Sequence, residues 1–537
     1  MKRYSTQVKK SVKSAPKKPN VFALSDEYKE KIRELSYIGK KGYTIPKSAI
    51  VHEDMEILKK ELFMTPQLQF GIKMGGGGDS SSFPIWRENE NKMYIPRFYG
   101  IMRYGLPEKS EIEPGDSIDI RFMKPLRDYQ ENIIKIYLDY VLNSPGIGGG
   151  AILEVPCGRG KTVMALKIIA ELSKKTLILV HKEFLMNQWI ERIAEFLPSA
   201  RVGKIQGSIF DVEGKDIVIG MIQTMYSREF PANTFTPFGL TIIDEVHRIG
   251  SEEFSKTLLK TITSYMLGIS ATVERKDGLT RILNMFIGEK IYSEERNSDD
   301  PVCVRGIEFV STDPEFNETE VDWKGDPKYS TMISKICEFG PRSDFIIRVL
   351  KDLILENPEN QIMILAHNRS LLKYLYEAIE HHQISSVGYY VGGMKEHVLK
   401  ETEGKQIVLA TYAMAAEALD IKTLSTLVMV TPKTDIEQSV GRILRTRHDN
   451  PIVVDIIDKH DTFQNQWRKR KTFYRKCNYR IIATDSLKYS GMRDFDKWKL
   501  VFTPKDCSSN TNENEEPVRD DPPAKCFLKL PSEFQKK

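Results

Sequence analysis

The chain has 537 residues, of which 40% are hydrophobic and 28% charged, and its 79 Lys and Arg exceed its 74 Asp and Glu to give a net charge of +5. This is a globular composition, long enough for about three to four domains, and its mild basicity permits a nucleic-acid partner without requiring one. No apolar run reaches the roughly 18 residues of a membrane span, no CxxC pair signals a zinc site or disulfide framework, and the basic N-terminus lacks the apolar stretch of a secretory signal.

Residues 1–25 are rich in Lys, Ser and Pro, which favours a disordered segment. It reads either as a solvated tail or as a basic arm that touches nucleic acid or serves as an import signal. Residues 26–115 form a small α+β unit. In it "YIGKKGYTIPKSAI" and "NKMYIPRFYG" read as short strands broken by Gly and Pro. Its aromatics Tyr43, Trp86, Tyr94, Phe98 and Tyr99 and its basic Lys40, Lys41, Lys47 and Arg97 are either core with a solvated rim or a nucleic-acid face. The "GGGGDSSS" stretch between the two segments reads as a flexible loop.

Residues 116–295 alternate short apolar runs ("AILEVP", "KTLILVH", "DIVIGM", "LTIIDE") with helix-like segments such as "TVMALKIIAELSKK". That alternation predicts a parallel sheet with helices on both faces. Residues 296–340 read as a linker. Residues 341–502 repeat the pattern with "QIMILAH", "SVGYYVGG", "KQIVLAT", "TLVMVTP" and "NPIVVDIID". The fold class is therefore α/β, two tandem parallel-sheet domains after a small α+β domain. Residues 503–537 are polar and Pro-rich, a disordered tail by composition. The basic run "RKRKTFYRK" is either a solvated helix face or a contact for nucleic acid or polymerase.

The first chemical signal is "EVPCGRGKT". It resembles the phosphate-binding pattern G-x-x-x-x-G-K-[ST] with Val155 in place of the leading glycine. It follows an apolar strand and opens a helix, as such a loop requires. Pro156, Cys157, Gly158, Arg159 and Gly160 would form the cradle. Lys161 would reach the outer phosphates, and Thr162 would offer its hydroxyl to Mg²⁺. The second is "LTIIDEVHRIG". A buried strand ending in two carboxylates delivers them to the C-terminal sheet edge, where ligands bind. Asp244 then holds Mg²⁺ through water, and Glu245 orients and deprotonates the attacking water. His247 either couples this site to motion or is a surface turn residue. Gln130 in "LRDYQ" has an amide able to pair with an adenine edge. Ser270 and Thr272 in "LGISAT" would link the carboxylates to the second domain. Gln438, Arg442 and Arg445 in "QSVGRILRT" would complete the site across the seam, because guanidinium forks suit phosphate oxygens.

In this order, "LRDYQ", "PCGRGKT", "DEVH", "SAT", "MAAEALDI" and "QSVGRILRT" resemble the motifs of superfamily 2 helicases. "LGISATVERKDGL" is most similar to the branch of UvsW-type and xeroderma-pigmentosum-B-type DNA helicases, with Val273 where a proline often stands. Together with "GYTIPKSAI…YIPRFYG", the core resembles the transcript-release DNA helicases of poxviruses and other large cytoplasmic DNA viruses. The resemblance implies two RecA-like domains, ATP and Mg²⁺ as cofactors, and ATP hydrolysis coupled to movement along DNA. It further implies a coupling motif at Thr411 and from Glu417 to Asp420. Strand contacts are implied at His181, Lys182, Gln223, Thr224, His367, Asn368, Gly392 and Gly393, again with Thr411. The implied partners are DNA and a viral RNA polymerase, and the implied setting is the host cytoplasm or the virion. An RNA helicase of the same fold is the alternative, because motifs do not report 2′-OH contacts. A scaffold without turnover is disfavoured by the presence of Lys161, Glu245, Arg442 and Arg445.

Overall fold

The computed structural model describes residues 24–65, 82–146, 148–156, 158–231, 233–246, 252–273, 279–294, 301–417, 421–444, 446, 448–504 and 525–526. The basic arm and the Gly-rich loop fall outside them except at their edges. So do Cys157, His247, Asp420 and Arg445.

The N-terminal unit contains β1 (Tyr37–Gly39), β2 (Gly42–Pro46), β3 (Phe63–Met64), β4 (Phe83–Pro84), β5 (Arg87–Glu88), β6 (Lys92–Ile95) and β7 (Lys109–Ser110). Five of these form one sheet in the order β5-β6-β2-β1-β7, and β3 pairs with β4 separately. One face of that sheet buries Ile38, Tyr43, Ile45, Met93 and Ile95 with Ile32, Leu58, Tyr99 and Tyr104. The segment "RFYG", expected to be extended, is the start of the helix Arg97–Tyr104. Pro96 ends the strand there and leads into the helix without needing an N–H. Arg97 is buried and donates to the carbonyls of Thr263 and Ser264, at 3.0 and 3.1 Å, which fastens this unit to the next.

The first lobe is built on β8 (Gly150–Glu154), β9 (Thr176–Val180), β10 (Val202–Gln206), β11 (Ile209–Phe210), β12 (Ile217–Met221), β13 (Leu240–Asp244), β14 (Tyr265–Ser270) and β15 (Glu289–Ser293). They lie in the order β11-β10-β12-β9-β13-β14-β8-β15. All neighbours are parallel except β10 with β11. β9 and β13 are buried along their whole length, as uninterrupted apolar runs require when helices cover both faces. The order places β14 between the phosphate-loop strand β8 and the carboxylate strand β13. Three separate sequence signals therefore converge on one sheet edge.

The second lobe contains β16 (Cys303–Phe309), β17 (Gln361–Ala366), β18 (Val387–Tyr390), β19 (Ile407–Thr411), β20 (Leu424–Met429), β21 (Ile452–Asp458), β22 (Arg480–Asp485) and β23 (Lys499–Phe502). The order is β18-β19-β17-β20-β21-β16-β22-β23. A short strand, β24 (Lys525–Cys526), lies antiparallel to β15 at the edge of the first lobe. One boundary moves: β16 falls in the stretch expected to be a linker, yet it sits between β21 and β22. The charged Arg305 in "CVRGIEF" hides the strand from a hydrophobicity reading. Arg305 is buried because its guanidinium makes two bonds to Glu356, at 2.5 and 2.7 Å.

Candidate active site

The phosphate loop leaves β8 at Glu154 and ends at Gly160, which adopts a left-handed φ of 81° just before the helix Lys161–Leu172. Gly158 is also left-handed, at φ 85°. At Gly160 a Cβ would come within 2.4 Å of Gln130 Nε2, so both conformation and space require glycine there. The loop is braced from the helix Asp128–Leu142. Gln130 Nε2 donates to the Arg159 carbonyl at 3.0 Å, and the Tyr129 hydroxyl donates to the same oxygen at 3.2 Å. Gln130 Oε1 accepts from the Arg127 N–H at 3.1 Å. Gln130 thus secures the loop, and each end of its amide keeps one further hydrogen-bonding position for a ligand. Arg159 stacks on Tyr129, 3.6 Å from the ring centroid, and pairs with Glu294 at 2.7 Å.

Lys161 and Thr162 open the helix, where exposed backbone N–H groups favour an anion. The Lys161 ammonium is 3.8 Å from Glu245 Oε1. Asp244 ends β13 and is buried, and Glu245 turns out of the strand with a left-handed φ of 51°. Such a conformation is costly for a residue with a Cβ and concentrates at functional sites. The Trp189 indole N–H donates to Asp244 Oδ2 at 2.9 Å. Burial, followed by the neighbouring Glu245 charge, pushes the Asp244 carboxyl up to about 6, against the pull of Trp189 and Lys161.

The "SAT" segment closes the group. The Val155 N–H donates to the Ser270 carbonyl at 2.8 Å. The Ser270 hydroxyl donates to the Thr272 carbonyl at 2.6 Å. Glu154 accepts from the Val273 N–H at 2.6 Å, from Lys290 at 2.7 Å and from the Ser293 hydroxyl at 2.6 Å. Ser270 and Thr272 are therefore tied to the strand that carries the phosphate loop. The sequence reading missed Glu154 and Trp189. Glu154 also ends an apolar strand in a carboxylate, the signal that marked Asp244. A Trp on an apolar helix face is a second clue, because its N–H needs a partner when buried.

The donor set fits a nucleotide triphosphate with Mg²⁺. It combines a loop turned by two left-handed glycines, Gly158 and Gly160, an ammonium, a hydroxyl at a helix start and two adjacent carboxylates. Thr162 and Asp244 would hold the metal, and Gly158, Gly160 and Lys161 the phosphates.

The remaining expected residues lie at C-terminal strand edges. In the first lobe His181 and Lys182 follow β9, and Gln223 Nε2 donates to the His181 carbonyl at 3.0 Å. The Thr224 hydroxyl accepts from the Gly207 N–H at 2.9 Å. In the second lobe His367 and Asn368 follow β17, Gly392 and Gly393 follow β18, and Thr411 ends β19. Arg369 donates to the Gly392 carbonyl. His367 Nδ1 lies 2.8 Å from the Thr431 hydroxyl. Burial, then the Lys433 charge, lowers this imidazole to about 4, so it is neutral at pH 7. Glu417 ends the helix Tyr412–Glu417.

Gln438 lies in the helix Glu437–Val440, and Arg442 in the 3₁₀ turn Gly441–Leu444 that continues it. Arg442 thus stands on a 3₁₀ turn and not on an α-helix, and Arg445 lies outside the described residues. Arg442 is buried in the second lobe, where its charge acts on the Tyr390 hydroxyl. The two lobes touch elsewhere. Asn187 donates to Glu396 at 3.1 Å and Lys400 to Glu191 at 2.7 Å. Asn187 and Glu191 lie on the helix Glu183–Phe196, which also carries Trp189.

Comparison with known proteins adds the family. The model "Type III restriction enzyme, res subunit" matches residues 123–275, and "Helicase conserved C-terminal domain" matches residues 346–448. Protein L396 of Acanthamoeba polyphaga mimivirus, named as a candidate ATP-dependent RNA helicase, is 33% identical over 467 residues, 83% of this chain and 87% of that protein. Protein QP509L of African swine fever virus, similarly named, is 29% identical over 67% of this chain and 74% of its own length. Protein 161L of Invertebrate iridescent virus 6, named as a candidate helicase, is 24% identical over 67% of this chain and 83% of its own length.

Proposed function

Because the chain belongs to the superfamily 2 helicases, the family of the mimivirus protein it matches at 33% identity, we propose that it is an ATP-driven motor that moves along single-stranded DNA. The observation that carries this is the meeting of Lys161 with Glu245 at 3.8 Å, beside the buried Asp244 and under a glycine-formed loop. Bound Mg²⁺ supplies charge stabilisation to the transferred phosphoryl group. Lys161 binds the outer phosphates. Glu245 orients water and takes its proton at a carboxylate oxygen. Gln438, Arg442 and Arg445 approach from the second lobe when the cleft closes and complete the charge set. The bridges Asn187–Glu396 and Lys400–Glu191 already span the lobes, so loss of the outer phosphate shifts a two-state element that a bound strand feels.

DNA is favoured by the resemblance of "LGISATVERKDGL" and the DEVH box to the UvsW and xeroderma-pigmentosum-B branch. By the resemblance of the N-terminal unit, the motor acts in viral transcript release, beside a viral RNA polymerase, in the host cytoplasm. A second substrate, RNA, is favoured by the names of two of the relatives. Steady-state ATP turnover with single-stranded DNA, duplex, forked DNA and RNA separates the two. DNA should stimulate several-fold; stimulation by RNA alone would replace DNA with RNA. Lys161→Ala should abolish turnover with the fold intact.

A further inference from the structure

The five-stranded sheet of the N-terminal unit has a second face that the motor site does not use. Its register fixes what stands there. Lys109 pairs with Tyr37, Tyr37 with Thr44, Thr44 with Tyr94, and Tyr94 with Arg87. Directly paired residues share a face, so these five form one row across β7-β1-β2-β6-β5. The alternate residues fill the core on the other side.

The Tyr37 ring lies flat along its own strand. A Cβ at Gly39 would come within 2.8 Å of Tyr37 Cε2, so the glycine is what lets the ring lie down. Both tyrosines are only half-buried, whereas Tyr43 and Tyr99 are in the core. Thr44, between Tyr37 and Tyr94 in the row, is buried, and cations stand beside the two partly exposed rings. Lys92 and Lys109 place their ammonium groups 5.0 and 5.1 Å from the Tyr37 centroid. Lys41 stands 4.9 Å from the Tyr94 centroid. Lys92 also donates to the Tyr37 hydroxyl at 3.1 Å, and Asn89 to the Tyr94 hydroxyl at 3.1 Å. Glu111 neutralises Lys109 at 2.9 Å. Lys41 and Lys92 have no carboxylate within salt-bridge distance among the described residues. At the end of the row Arg87 donates to the Lys256 carbonyl at 3.4 Å, which joins this face to the first lobe.

We propose that this face binds a single strand of nucleic acid. Bases stack on Tyr37 and Tyr94, while Lys109 swings off the Tyr37 ring with its partner Glu111 and Lys41 and Lys92 leave the rings to take phosphates. Open aromatic rings beside cations on a sheet are the elements of a strand-binding platform. A duplex keeps its base faces stacked and offers them nothing. The platform is separate from the helicase motifs and fixed to the first lobe, so it would hold the strand the motor works on.

The test uses the full chain without nucleotide, and anisotropy of labelled oligothymidylate and oligouridylate. The double variant Tyr37→Ala/Tyr94→Ala should weaken binding by about tenfold or more, and Tyr37→Phe/Tyr94→Phe should retain it. Lys41→Ala/Lys92→Ala should reduce the slope of log affinity against log salt by about 1.4, at about 0.7 per phosphate contact. A loss with one polymer only would support the platform and identify its strand. Unchanged affinity and slope in the two alanine pairs would overturn it, as would an equal loss with phenylalanine. ATP turnover without any strand should be unaffected, so this outcome is independent of the motor assignment.

Discussion

Trp189 has one polar side-chain atom, and it points at Asp244, the carboxylate proposed to hold the metal. Trp189→Phe keeps an aromatic ring at this buried position and removes the N–H from which Asp244 accepts at 2.9 Å. A hydrogen bond to a charged group is worth about 1.5–3 kcal/mol, and about 1.4 kcal/mol is tenfold in rate. Turnover should therefore fall about tenfold, with a higher Mg²⁺ requirement, in steady-state assays across a Mg²⁺ series. His367 gives a pH signature in stability. Its folded pKa of about 4 lies below the ordinary imidazole value of 6.5. Between these values the unfolded chain binds a proton that the folded chain does not. Stability present above about pH 6.5 should be lost progressively as pH falls towards 4. His367→Asn should flatten that slope in urea unfolding between pH 7 and pH 5.

At the scale of elements, the strands most legible in the sequence were those buried on both faces. "TLILV" and "LTIID" announce themselves because each residue must be apolar there. β16 was not legible, because Arg305 belongs to it only through Glu356, which lies 51 residues away. The same limit governed the site. Lys161, Asp244 and Glu245 could be read because local pattern delivers them to a strand edge or a helix start. Trp189 and Glu154 act through partners 55 and 119 residues distant, and no window of sequence contains both ends. A buried charged pair between a helix and a strand of the second lobe makes the cost of such long-range dependence measurable. Arg342 and Asp458 are fully buried and meet at 2.6 Å. Removing one partner of a buried pair costs about 3–5 kcal/mol, whereas replacing both with apolar groups is often neutral. Arg342→Met should destabilise the fold by about that amount in urea unfolding. Arg342→Met with Asp458→Leu should recover most of it.

For the whole molecule, the helix Glu183–Phe196 links the candidate nucleotide site to the second lobe. Its buried side holds Asp244 through Trp189, and its exposed side meets the second lobe through Asn187 and Glu191. An exposed ion pair is worth about 0.2–1 kcal/mol. Lys400→Glu should therefore change strand-stimulated turnover by about fivefold at most, and Glu191→Lys with Lys400→Glu should restore it. The proposed motor depends above all on Glu245 as the group that activates water beside a nucleotide held by the loop. The most direct measurement is ATP turnover by Glu245→Gln at saturating activating strand, with nucleotide affinity measured on the same protein. Affinity close to that of the unaltered chain, with turnover lower by about a hundredfold or more, is the expected result. Undiminished turnover would contradict the assignment of the site.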